Sequence, residues 1–508
     1  MKSAATTYIS KHWDALLAAT SACIFLYLFT RHSGIGISPD SVTYYSVAVN
    51  ICNHFSFTDF NGAPLVDFPV GYPLLLAGLM WLTGFSPLLA APVINIVLIT
   101  GAILFTSIII DGYQKRSSVY KIIFLSVLAC SPALLEVYSM LWSETVFIFL
   151  SLLFFIASRH YFKSHNTISV LWMAIIAAFA FLTRYAGISL VVTGGFLLLF
   201  DGSLSIRKKI KHLLFFGCLS CSLTTINLIL NHHTTASLTG VREKALRSVG
   251  ENISQVSNTV AEWLPFLKGH QTIALAIFAL IFAAGVLILF FRTLQQQYYH
   301  SYETIIVSFF VVYIVFLLTI ASVSRFEELG SRLLMPVYIP FLLLASSWVV
   351  PLSKKFTKLK RSILLSLAFL FFAGMQYHQY TLNAEAWEGI KDAGIPGYTE
   401  DSWKESATIQ YINQLKDSLS RSLIYSDAYD AIFFLSGLHA MALPHKEINK
   451  EINELLQHPS FSVIWLNDGV NDDLIDINFI RRHKKLVYVK QLEDGAVYFF
   501  SDSITILH

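Results

Sequence analysis

The chain has 508 residues, of which 55% are hydrophobic and 14% charged; ordinary soluble domains carry roughly 25% charge. A mean hydropathy of +0.58 makes lipid the main solvent of the chain. A net charge of only +3, spread along membrane edges, argues for no nucleic-acid partner. The five cysteines (Cys23, Cys52, Cys130, Cys218, Cys221) form no disulfide framework.

The chain opens with Lys2 and Lys11 and an apolar stretch from Trp13 to Thr30. Arg31 and His32 follow where a cleavage site would need small residues, so this reads as a retained signal-anchor helix. A polar loop over 31–86 comes next. Within it Ser38-Pro39-Asp40 is a helix start, with serine as N-cap, proline at the first position and an acid in the first turn. The residues after it have helical spacing and predict an amphipathic helix along the outer surface. The apolar run 71–83 is too short to cross and reads as interfacial or re-entrant. Ten further spans are predicted at 87–110, 119–138, 143–158, 168–183, 185–201, 211–230, 271–291, 303–322, 332–350 and 361–378, for eleven in all.

Lysine and arginine fall mostly in alternate linkers. With the N-terminus in the cytoplasm, the inside linkers hold 17, among them Lys115, Arg116, Lys121 and the run Arg207 to Lys211, and the outside linkers eight. The positive-inside rule then fixes one orientation and puts the C-terminus outside. From about residue 380 the charge density becomes that of a soluble domain. Ser402 to Ser420 reads as an amphipathic helix. Leu423–Asp427, Phe461–Leu466, Leu486–Lys490 and Ala496–Phe500 read as strands, the last two joined by the turn Glu493-Asp494-Gly495. The predicted architecture is a mainly α, polytopic helix bundle (1–379, outer loop 31–86) followed by an extracytoplasmic α/β domain (380–508).

Four charged groups share the outer face. Asp40 heads its helix, where a carboxylate is stabilised in ionised form; it either caps the helix or accepts a proton or a metal. Glu144 stands at the mouth of the fourth span, Arg184 between the fifth and sixth, and Arg332 at the start of the tenth. Each also reads alone as a snorkelling or capping residue. Together, two carboxylates and two guanidiniums suit a site that holds a phosphate and activates a hydroxyl. His54, Asp59 and Asp67 match no ligand spacing and read as solvated, as do Asp472-Asp473 and Arg481-Arg482.

The pieces Pro39-Asp40-Ser41…Tyr45, Phe68-Pro-Val-Gly-Tyr72-Pro73, Ser143-Glu144, Thr183-Arg184-Tyr185-Ala-Gly187 and Arg332-Leu-Leu-Met-Pro336 occur in this order on one side. The chain thereby resembles the GT-C superfamily of membrane glycosyltransferases, in the protein O-mannosyltransferase and aminoarabinose-transferase branch, over roughly 1–350. The resemblance implies a polyprenyl-phosphate-sugar donor, a glycan, lipid or protein acceptor, and a bacterial inner membrane. It implies that Asp40 is the base or helps bind a metal. Glu144 falls where some relatives carry a second acid, so Asp40 and Glu144 are the candidate ligands of a divalent ion. Arg184 and Arg332 match positions near the donor phosphate, and Tyr45, Tyr72 and Tyr185 lie in the matched pieces as further substrate contacts. Relatives with an Asp-Glu pair have adjacent acids; here Asp40 is followed by Ser41.

The predicted reaction is inverting transfer of a sugar to an acceptor hydroxyl at the outer face. Two rival readings stand beside it. A polysaccharide polymerase or ligase using a diphosphate-linked glycan would rely on the late outer loop 231–270, with Arg242, Lys244 and Arg247. A lipid or solute transporter would place ionisable groups near the midplane and show repeated halves.

Overall fold

The structure is a computed structural model that describes residues 4–112, 117–240, 242–466 and 473–502. Lys2, Lys115, Arg116 and Asp472 lie outside the described residues. Two compact units divide the chain. One is Met1–Phe29 with Pro64–Gly389; the other is Thr30–Ala63 with Ile390–His508.

The first unit is helical: α1 (Ala4–Thr30), then, after the α2 segment of the other unit (Pro39–His54), α3 (Gly71–Thr83), α4 (Pro87–Asp111), α5 (Ser118–Ala129), α6 (Pro132–Ser139), α7 (Glu144–Ser164), α8 (Thr167–Thr183), α9 (Ile188–Leu199), α10 (Ile206–Thr235), α11 (Val249–Trp263), α12 (Gln271–Gln295), α13 (Tyr302–Val323), α14 (Ser331–Leu334), α15 (Tyr338–Ser346), α16 (Val349–Ser353) and α17 (Lys358–Ala393). Among the described residues, eight helical stretches are long and apolar enough to cross a membrane, or nine if a bent pair counts as one. The chain is a multi-pass membrane protein.

The expected eleven spans are thus eight long ones, one broken one and two short ones. The broken span is α5 with α6, bent by 47°. Pro132 cannot continue the helix, and Ser131 restarts it by accepting from the Leu134 amide at 3.3 Å. The short ones are α8, with 17 residues, and Tyr185–Leu199. At 1.5 Å per residue α8 covers about 26 Å, less than the ~30 Å of hydrocarbon. It packs between α7 and α10. One cation assigned to an inside linker is buried: Lys121 Nζ lies 3.2 Å from Asp14 and 3.3 Å from Asp111.

The second unit is α/β. Its elements are α2, then α18 (Asp401–Lys404), α19 (Ala407–Gln414), α20 (Lys416–Leu419), β1 (Ile424–Ser426), α21 (Tyr429–Ser436), β2 (Met441–Ala442), α22 (Asn449–Gln457), β3 (Ser460–Trp465), α23 (Ile477–His483), β4 (Leu486–Gln491) and β5 (Ala496–Ser501). The sheet order is β2-β1-β3-β5-β4, with β1 parallel to both β2 and β3 and β5 antiparallel to both β3 and β4. All four predicted strands are present, and the Leu492 amide donates to Gly495 O at 2.9 Å across the predicted hairpin turn. The fifth strand, β2, is two exposed residues with no apolar alternation to announce it. The predicted helix over 402–420 is three pieces, because Ser406 caps a new start at the Ile409 amide. Tyr425, Phe461, Val463, Ile480, Tyr498 and Phe500 form the centre of the core.

Residues 30–63 belong to this unit through specific contacts. Tyr398 N donates to Ile37 O at 2.8 Å, Asn61 Nδ2 to Ala440 O at 2.9 Å, and Phe60 stacks on Phe433 at 4.4 Å. The expected outer loop 31–86 is therefore split between the units. The helix α2, expected to lie along a surface, buries Val42, Tyr44, Val47, Ala48 and Ile51 and packs on α21. Ser38 occupies the N-cap position without a side-chain cap; its hydroxyl meets Ser41 Oγ at 3.1 Å. Asp59 Oδ1 accepts the Asn61 and Ala63 amides at 2.8 and 2.9 Å, so it shapes a turn.

Candidate functional site

Glu144 opens α7 and is fully buried. Its Oε1 accepts from Arg332 Nε at 2.6 Å and from Arg184 Nη1 at 2.7 Å. The same Arg184 nitrogen donates to Ser143 Oγ at 2.8 Å. The Arg332 guanidinium lies over the Trp142 ring, 4.6 Å from its centroid, within cation–π range. Its Nη1 is 3.8 Å from the exposed carboxylate of Glu327. Oε2 of Glu144 accepts no hydrogen bond among the described residues.

Local packing explains how the arginines reach one oxygen. Arg184 has extended backbone (φ −148°, ψ 139°) between α8 and the tight turn Tyr185–Gly187. A Cβ on Gly187 would run into the backbone of Ala180 and Phe181. A Cβ on Gly71 would lie 2.6 Å from Leu182 C and 2.8 Å from Thr183 N. Glycine at these positions lets the turn and the start of α3 close around the last turn of α8 and hold Arg184. Arg332 is held from the other side. Tyr313 Oη donates to Leu333 O at 2.7 Å, Trp263 Nε1 to Ser331 Oγ at 3.1 Å, and Thr259 Oγ1 to Leu329 O at 2.9 Å. Trp263 and Thr259 lie on α11, so the late loop 231–270 braces the Arg332 segment. Arg247 in that loop pairs with Glu328 at 2.9 Å.

Glu144, Arg184 and Arg332 are therefore one cluster. Tyr185 Oη donates to Val66 O at 3.0 Å and braces the segment ahead of α3, and Tyr72 is buried at the start of α3. Asp40 and Tyr45 lie in the other unit. Tyr45 meets Phe434 edge-on at 6.4 Å. Asp40 stands in the first turn of α2, near enough to Asp430 for its charge to act on that carboxyl. Burial raises the Asp430 carboxyl above its ordinary value, and Asp40 adds to this, against the Tyr398 hydroxyl that donates to it at 3.0 Å. Sequence reading missed Asp430 and Trp142. It also missed Asn227 on α10, whose Oδ1 accepts the Val70 amide at 3.2 Å. Only Trp142, beside Glu144, carried a signal, as an aromatic at a span mouth.

Of the two acids expected to hold a divalent ion, Glu144 meets Arg184 and Arg332. Two guanidiniums occupy one of its oxygens. Among the described residues, no His, Cys, Asp or Glu completes a three-ligand set with it or with Asp40. The set that does assemble is His165, Asp201 and His300. The helix α7 runs from Glu144 to Ser164, with His165 capping it, so this second cluster lies about 30 Å from the first at 1.5 Å per residue.

No protein-family model and no curated protein matches the sequence. Solved structures do match. ArnT from Cupriavidus metallidurans bound to undecaprenyl phosphate aligns with a TM-score of 0.57 at 10% identity, over 95% of this chain and 97% of that one. The apo state of the same protein aligns with a TM-score of 0.53 at 11% identity, over 98% of each chain. The archaeal oligosaccharyltransferase AglB from Archaeoglobus fulgidus, in complex with an inhibitory peptide and a dolichol-phosphate, aligns with a TM-score of 0.52 at 11% identity, over 90% of this chain and 70% of that one.

The chain has the GT-C fold. The GT-C likeness extends beyond the 1–350 expected from sequence, because the alignments cover nearly all of both units.

Proposed function

We propose that this protein transfers a glycosyl group from a polyprenyl-phosphate-linked donor to an acceptor hydroxyl at the outer face of the membrane. The observation that carries the reading is the seating of Arg184 and Arg332 on one buried carboxylate oxygen, in a fold shared with an enzyme solved with undecaprenyl phosphate bound. Arg184 and Arg332 bring two guanidiniums to one buried carboxylate, Glu144. Arg332 already attracts a carboxylate, Glu327, from its exposed side. A phosphate oxygen would take that position more strongly, since guanidinium geometry matches phosphate.

In the proposed reaction the acceptor oxygen attacks C1 of the sugar. Its proton passes to Asp40, the C1–O bond to phosphate breaks, and the electron pair leaves on polyprenyl phosphate. Arg184 and Arg332 stabilise that leaving charge. Glu144 acts by holding both guanidiniums in place rather than as a base. A single displacement inverts C1. The reading places the N-terminus in the cytoplasm and the reaction on the far side of a bacterial inner membrane.

The test is transfer by purified full-length protein in lipid nanodiscs, with mono- and diphosphate-linked donors side by side. Transfer from the monophosphate donor, lost in Asp40→Asn and Arg332→Gln, supports the proposal. Undiminished turnover in Asp40→Asn removes Asp40 from the mechanism. Cysteine labelling that puts residues 40 and 332 on opposite faces removes Asp40 from the proposed reaction.

A further inference from the structure

The GT-C reading makes no use of the polar cluster at the far end of α7. Three side chains converge there from three separate connections. His165 caps the C-terminus of α7, Asp201 follows α9, and His300 precedes α13. His165 Nε2 is 3.1 Å from Asp201 Oδ2, and His300 Nε2 is 2.9 Å from Asp201 Oδ1. All three ligating atoms lie within 4.8 Å of one another. Ser203 Oγ is 2.6 Å from Asp201 Oδ1 and 3.3 Å from His165 Nε2. Asp201 is fully buried, while the His165 and His300 side chains keep 22% and 34% exposure. The carboxylate is thus fixed by the fold, and the imidazoles line a route from water.

Two of the three separations suit a tetrahedral ion. Zinc binds imidazole nitrogen and carboxylate oxygen at about 2.0–2.1 Å, which puts tetrahedral ligand atoms about 3.3 Å apart. The two histidine–carboxylate separations, 3.1 and 2.9 Å to different oxygens of Asp201, lie within a few tenths of an ångström of that, and the third pair lies within 4.8 Å. Burial alone would raise the Asp201 carboxyl, but hydrogen bonds from His300 and Ser203 outweigh it and keep the group ionised. Arg159 Nη1 donates to His300 O at 2.6 Å, fixing the backbone that carries one ligand, as orienting contacts do in built metal sites.

We infer that His165, Asp201 and His300 form a site for a divalent cation of the zinc class, with Ser203 or a water as fourth ligand. Its distance from Glu144 makes it independent of the transfer chemistry. Two nitrogens and one oxygen favour zinc over the all-oxygen preferences of calcium and magnesium.

The test uses full-length protein in detergent, with any purification tag removed, stripped by chelator and reloaded with Zn2+ or Co2+. The expected result is one equivalent of metal per chain by elemental analysis, and a visible Co2+ absorption of a four-coordinate site. His300→Gln and His165→Gln should each lower retained metal at least tenfold while eluting as folded protein. These two partly exposed positions carry the test even if Asp201→Asn, at the buried position, fails to fold. Wild-type protein that retains no more metal than His300→Gln overturns the proposal and leaves the cluster a hydrogen-bonded clasp.

Discussion

Arg332 and Arg184 share a single acceptor: Oε1 of Glu144 lies 2.6 Å from one guanidinium and 2.7 Å from the other. The shared oxygen offsets the repulsion between the two guanidiniums. Glu144→Gln keeps the shape and removes the charge, so the two cations repel at a buried site. Breaking a buried ion pair from one side costs about 3–5 kcal/mol. The expected outcome is a clear fall in Tm in detergent and at least a tenfold loss of affinity for polyprenyl phosphate, read by thermal scanning and by titration.

Arg332→Lys preserves the charge but not the planar fork that reaches Glu144 while lying over Trp142. Transfer should fall at least tenfold in kcat/KM, about 1.4 kcal/mol of transition-state stabilisation. Trp142→Leu, which keeps the ion pair and removes the ring, should lose less, in line with about 0.5–2 kcal/mol for a cation–π contact. Steady-state kinetics on the two variants gives the ranking.

Gly71→Ala places a methyl group 2.6 Å from Leu182 C, where the obstacle is backbone. Overpacking of this kind costs about 1–3 kcal/mol. Because the displaced backbone leads directly into Arg184, the variant should lose transfer as well as thermal stability. Gly78→Ala, in the same helix but with open space around it, should change neither.

Lys121→Met leaves Asp14 and Asp111 facing each other in a buried site without their cation. The expected loss is again about 3–5 kcal/mol. Adding Asp14→Asn should restore part of it. A double-mutant cycle on Tm measures the coupling.

Asp430 gives a pH signature. Burial raises its folded carboxyl above the ordinary 3.8. The folded state then holds the proton at pH values where the unfolded chain has released it. Stability from this group is present below 3.8 and declines as pH rises through the folded value. Asp430→Asn, whose amide oxygen can still accept from Tyr398, should raise Tm at neutral pH and flatten the decline above pH 4. Melting curves across pH 3–8 on the full chain measure both.

Much of this was legible in the sequence, for identifiable reasons. Apolar length locates spans, and charge at span mouths singled out Glu144, Arg184 and Arg332, which the fold brings together. Alternation and a turn triplet gave β3, β4 and β5. What was illegible depends on contacts between distant segments. Nothing near Pro39–His54 says that this helix packs on α21, at Tyr429–Ser436. Lys121 counted as an inside cation, because composition cannot show Asp14 and Asp111 meeting it. His165, Asp201 and His300 are too far apart in sequence to form a recognisable ligand spacing.

Four connections tie the polar knots at the two ends of the bundle. Glu144 and His165 bracket α7, α8 ends at Arg184, α9 returns to Asp201, and α13 leads from His300 toward Arg332. These rods therefore work as gauges of bundle thickness. Inserting one residue into α7 would advance one end by about 1.5 Å and turn it by about 100°, so one knot could stay tied only by undoing the other.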